Sequence, residues 1–108
     1  MTTPKTPFVP TREQLALAAK AAGMAIVPLS EGIWHTEYGR FWHPTTNKSH
    51  SFDLMVACGI EPMFHDTAVS ALSGSDFRTE PVYWLDHDKG LATMWAVFLC
   101  AIEIGRSL

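Results

Sequence analysis

Residues 88–106, DKGLATMWAVFLCAIEIGR, constrain this chain more than any other stretch. From Leu91 to Ile102 the only polar residue is Thr93. Leu, Met, Ala, Phe and Trp favour or tolerate a helix, and no proline interrupts the run. The apolar residues go all the way round instead of keeping to one stripe, as they do in a helix buried on several sides. At ~1.5 Å per residue the stretch makes a rod of roughly 27 Å, the width of a small domain. The rest of the chain must pack around this closing helix.

The N-terminal segment prepares that packing. Residues 1–10 carry Pro4, Pro7 and Pro10 and are expected to form an extended arm ahead of one domain over residues 11–108. Thr11 opens a helix through a capping box with Gln14. Leu15, Ala18, Ala19 and Ala22 lie on one face, with small residues that allow close approach, and Gly23 followed by Met24 is a left-handed ending. Residues 24–29 form a short apolar strand, and residues 33–35 and 40–43 form two more, joined as a hairpin by Glu37, Tyr38 and Gly39. A second helix is expected to start near Ser49 or Ser51, with Asp53 in its first turn. Phe52, Leu54, Met55, Val56 and Cys58 make it mostly buried, and Gly59 and Ile60 end it. Residues 63–72 are expected as a strand, with its hairpin partner over residues 77–85 marked as an edge or bulge by Pro81. Asp86 or Asp88 caps the last helix and Gly105 ends it. The order is α-β-β(-β)-α-β-β-α, an α+β domain with helices packed on a small antiparallel sheet.

Charge separates the classes of partner. The formal net charge is −3, and the eight Lys and Arg form no run, which argues against sequence-independent nucleic-acid binding. Between positions 61 and 88 six acids (Glu61, Asp66, Asp76, Glu80, Asp86, Asp88) face one base, Arg78. That segment could present a negative face to a basic partner. No stretch reaches the ~20 apolar residues of a membrane span, and the N-terminus lacks a signal-peptide core, so a cytosolic setting is expected. Cys58 and Cys100 both sit among apolar residues and read as small core hydrophobes.

No spacing in the chain declares a reaction. His65-Asp66 and Asp86-His87-Asp88 are metal-ligand types, but no HExxH, CxxC or His-x-His is present. No serine sits in a Gly-x-Ser-x-Gly elbow, and neither cysteine has a nearby charge that would favour a thiolate. Trp34, Tyr38, Phe41 and Trp42 cluster within nine residues around Arg40. They belong to the core, to an anchor patch for a protein partner, or to a stacking surface for nucleic acid or a small ligand, the last opposed by the missing positive charge.

Three matches resemble small proteins of tailed bacteriophages, the phage ABA-sandwich and NinX-type families. A first helix ends in Ala22-Gly23-Met24, with Trp42 and Pro44 ahead of a loop. Ser51-Phe52-Asp53-Leu54-Met55 occupies the second-helix position. The run from Asp88 to Leu99 looks like the families' closing helix, with residues 101–105 at its end. The resemblance implies an α/β/α-type sandwich of phage origin, and it carries no catalytic residue. Together these observations lead to a non-enzymatic phage accessory protein, without cofactor or metal, that binds a host protein. A nucleic-acid-binding defence complex such as a CRISPR–Cas nuclease is the candidate target. The expected contacts are Asp66, Asp76, Glu80, Asp86 and Asp88, with Trp34 and Trp42 as anchors. The alternatives are a metal- or ligand-binding hydrolase centred on His65, Asp66, Asp86 and His87, and an oligomeric structural protein that completes the burial of its last helix as a homodimer.

Overall fold

The computed structural model describes residues 9–74, 76–84 and 88–108. Most of the expected Pro-rich arm, together with Asp86 and His87, lies outside them. The described elements run α1 (Arg12–Ala22), β1 (Ile26–Leu29), β2 (Gly32–His35), β3 (Arg40–Phe41), α2 (Lys48–Cys58), β4 (Glu61–Phe64), β5 (Ala68–Ser73), β6 (Phe77–Arg78), β7 (Val82–Tyr83) and α3 (Lys89–Arg106). This is the expected α+β architecture of helices on antiparallel sheet, with the strands divided between two sheets.

The centre is α3. It packs against α1, α2 and all four strands of the second sheet. Ala92, Ala96, Val97, Phe98, Cys100, Ala101 and Ile102 are buried, as expected of a helix without a polar stripe. Among the described residues no helix is long and apolar enough to cross a membrane. Asp88 caps α3, its Oδ1 accepting from the amides of Gly90 (2.6 Å) and Leu91 (3.2 Å).

Gly105 does not end α3. The helix runs on to Arg106, and Ser107 caps it. Gly105 is instead the point where α3 meets α1: a Cβ there would stand 2.1 Å from the Leu17 carbonyl oxygen. Ala18 and Ala19 are buried beside it, so small residues on both helices bring the two backbones together.

The first helix forms as its caps dictate. The Thr11 hydroxyl accepts from the Gln14 amide (3.1 Å), and the Gln14 side chain accepts from the Thr11 amide (2.9 Å). Gly23 and Gly59 take left-handed φ values of 68° and 63°. The amides of Met24 and Ile60 then reach back to the carbonyls of Ala19 and Met55, closing both helices.

The strands depart from expectation where turn chemistry is weak. In the first sheet, β2 pairs with β1 on one side and β3 on the other, and Trp34 faces Phe41. In the second, the expected strand over 63–72 is two strands. The chain reverses at residues 65–67, where the His65 amide donates to the Ala68 carbonyl (2.8 Å), so β4 runs antiparallel to β5. The expected partner over 77–85 is also two pieces. β6 pairs with one end of β5 and β7 with the other. Pro81 has no amide to offer between them. Thr79 bridges the gap: its amide donates to the Ala71 carbonyl, and its hydroxyl accepts from the Ala71 amide, both at 2.9 Å. Edge strands β1 and β4 each contain a proline, Pro28 and Pro62, which discourages pairing with another chain.

Candidate functional site

The second helix turns the wrong side outward for a core helix. It starts at Lys48, capped by Asn47, whose side chain accepts from the His50 amide (3.1 Å), so neither Ser49 nor Ser51 is the cap. Its buried residues are His50, Ser51 and Leu54. Phe52 and Val56, four residues apart on one stripe, are 59% and 62% exposed, contrary to the expected burial. His50 and Ser51 are only 4% and 6% exposed. An aromatic and a branched aliphatic side chain thus stand in water while a histidine and a serine are packed inside.

The burial of His50 has a local cause. Its ring stacks on Tyr38 (centroids 4.7 Å, 12°), which stacks on His35 (3.7 Å, 14°). Each histidine Nδ1 accepts a backbone amide: His35 from Tyr38 (3.3 Å), His50 from His43 (2.9 Å). The Tyr38 hydroxyl donates to Asp53, so that carboxylate lies beyond the first turn of α2 and holds a tyrosine instead of the helix dipole. Burial, then the Asp53 hydrogen bond and the charges of Asp53 and Glu37, push the Tyr38 phenol up to about 12. Burial is also the largest cause lowering His50, followed by His43, His35 and Arg40, with Asp53 opposing. This stack clamps the N-terminal half of α2 to the first sheet and fixes which residues face out.

Beside the exposed stripe lies a groove of about 420 Å³. Ser51, Phe52 and Met55 of α2 form one wall. Gly90, Thr93, Met94 and Val97 of α3 form the other, and Phe64 at the end of β4 closes it. Lys48 and Lys89, the first residues of the two helices, line its rim. The Lys89 Nζ stands 5.3 Å from the Phe64 ring centroid and 5.1 Å from that of Trp84, a cation–π arrangement that holds the charge at the groove. A methionine in each wall, Met55 and Met94, suits an adaptable binding surface.

The residues expected from the sequence to act together are spread out. Asp66 is exposed in the turn between β4 and β5, and Asp76 is exposed in the turn beyond the other end of β5, so the strand's length of roughly 17 Å separates the two turns. Asp76 shares a cleft with Arg78, Glu103 and Arg106, a mixed-charge setting. Glu80 is exposed in a second cleft with His65, Ser70 and Arg78. Asp88 is exposed and occupied as the α3 cap, and Asp86 lies outside the described residues. Trp34 is half-buried, edge-on to Phe41 (5.3 Å, 85°). Trp42 is not a surface anchor. It is 1% exposed, inside the core, and its indole N–H and the His35 Nε2 have no hydrogen-bond partner among the described residues.

Catalytic groupings fare no better in space. Among the described residues no three His, Cys, Asp or Glu are placed to hold a metal ion. His65 Nε2 lies 3.1 Å from the Ser70 hydroxyl, the spacing of a base and a nucleophile. Ser70, however, is 2% exposed in the middle of β5, closed to an incoming carbonyl, and the bond satisfies a buried hydroxyl. Burial raises both thiols, Cys100 to about 11 with the charges of Cys58 and Glu103 adding to it, so neither offers a thiolate near neutral pH.

The groove escaped sequence reasoning because its two walls come from helices that a whole sheet separates in the chain. The one local signal was a second helix apolar on more sides than a single core contact can cover. Compared with known protein families, curated proteins and solved structures, this chain matches none.

Proposed function

We propose that this chain is a non-enzymatic accessory protein that acts by binding another protein through the outer stripe of α2 and the groove beside it. The observation that carries this is the inversion of α2, which buries His50 and Ser51 while Phe52 and Val56 face solvent. Exposed large apolar side chains beside a cleft mark recognition surfaces, because their desolvation contributes only when a partner covers them. The resemblance to small phage proteins supports a bacterial host protein as that partner, with a nucleic-acid-handling defence complex the first candidate.

The test is capture from bacterial lysate with three baits: wild type, Phe52→Glu with Val56→Glu, and Asp66→Lys with Asp76→Lys and Glu80→Lys. The expected result is one complex held by wild type and by the acid-reversed bait, and lost by the α2 bait. Loss by the acid-reversed bait alone would move the contact to the acidic segment. Retention by the α2 bait would refute the groove.

A further inference from the structure

Resting on that reading, we infer that the groove takes a short amphipathic helix whose apolar face is flanked by carboxylates. Its dimensions set the shape. Along its α3 wall, from Lys89 to Val97, the backbone rises about 12 Å. Side chains at i, i+4 and i+7 of a docked helix span roughly 10 Å, so two turns fill the groove with three anchors. A helix laid between α2 and α3 also makes the packing that helices find most readily, side-chain ridges in the trough of two neighbours.

The rim sets the charge. Lys48 and Lys89 are the first residues of α2 and α3, and at Lys48 the positive end of the α2 dipole, capped by the neutral Asn47, adds to the ammonium charge. Among the described residues neither lysine forms an ion pair. Of the described acids nearest in sequence, Asp53 holds the Tyr38 hydroxyl and Asp88 the amides of its own helix. An apolar trough whose charged lining residues are two lysines selects an apolar face with acidic flanks. The same rim disfavours a second copy of this chain, because a two-fold contact through this face would gather four lysines with no acid from the groove lining to offset them. The apolar surface also continues from Phe52 in the groove wall to Val56 beyond it, more than a small molecule would cover.

The experiment uses fluorescence anisotropy with two stapled helical peptides, both with leucines at i, i+4 and i+7, one flanked by glutamates and the other by lysines. At low salt the glutamate peptide binds wild type roughly tenfold more tightly, the preference reverses in the Lys48→Glu, Lys89→Glu protein, and both peptides are lost by Phe52→Glu with Val56→Glu. Circular dichroism confirms that each variant is folded. Equal affinity for the two peptides overturns the charge selection. No binding of either overturns the helical occupant, while the three-bait capture still judges the groove itself. A dimer in sedimentation that Phe52→Glu dissolves assigns the groove to a second copy and overturns the inference.

Discussion

Replacing Gly105 by alanine tests the packing on which the whole fold depends. The new methyl would sit 2.1 Å from the Leu17 carbonyl oxygen and 2.8 Å from its carbon, well inside the 3.0 Å that real Cβ contacts respect. Its obstacle is backbone, so no rotamer change relieves it, and α1 must move by about 0.9 Å. A gap of that size along buried Ala18 and Ala19 forfeits roughly a quarter to a half of their dispersion contact with α3. Overpacking of yielding sites costs about 1–3 kcal/mol, and a backbone obstacle belongs at or above the top of that range. Alanine returns about 1 kcal/mol as the better helix former. The expected net loss is about 2–3 kcal/mol, read as a lower urea midpoint by tryptophan fluorescence and a melting temperature lower by roughly 10 °C. A Gly105→Ala protein as stable as wild type would refute the close approach of α1 and α3.

Three further outcomes follow from the geometry. Phe52→Glu with Val56→Glu should change stability by no more than about 0.5 kcal/mol per site, whereas Leu54→Ala on the buried side of the same helix should cost about 2–5 kcal/mol; urea unfolding of the three proteins decides whether the stripe is surface or core. Tyr38 should ionise near pH 12: in a Tyr83→Phe protein the absorbance change of tyrosinate should come about two units above the ordinary value, and ionisation at 10 would contradict the Asp53 contact and the burial. His50 is depressed below its ordinary 6.5, so the unfolded chain binds the extra proton first. Stability is then full above about 6.5 and falls as pH drops from there toward the folded value, by at most ~1.4 kcal/mol per pH unit. His50→Gln should flatten that decline, and an unchanged slope would remove His50 as its source.

What could be read from the sequence was local chemistry. The Thr11–Gln14 box, the Gly23–Met24 and Gly59–Ile60 endings and the Asp88 cap each involve groups within a turn of one another, so residue type alone decides them. The hairpin of β2 and β3 was legible for the same reason. Boundaries went astray where a turn lacks glycine and proline, as at residues 65–67, or where a proline and a threonine side chain divide one strand into β6 and β7. Gly105 shows the limit of residue type. A glycine near a helix end serves equally as a terminator or as a gap for another backbone, and only the position of Leu17 distinguishes the two. Facing was also hidden. In α2 apolar residues occupy several sides, and the stack of His35, Tyr38 and His50 selects the inward one. Trp42 likewise could not be assigned to core or surface until its neighbours were placed. The acidic segment looked continuous because its residues are close in sequence, yet the reversals around β5 send Asp66 and Asp76 to opposite ends.

The most direct test of the binding surface is site-specific photocrosslinking in bacterial lysate. A benzophenone amino acid would replace Phe52 on the α2 stripe or, as control, Val27, an exposed residue of the first sheet. One dominant adduct from position 52, absent from position 27, is the predicted result. Equal adducts from both positions, or none from position 52, would contradict the groove as the place where this protein acts.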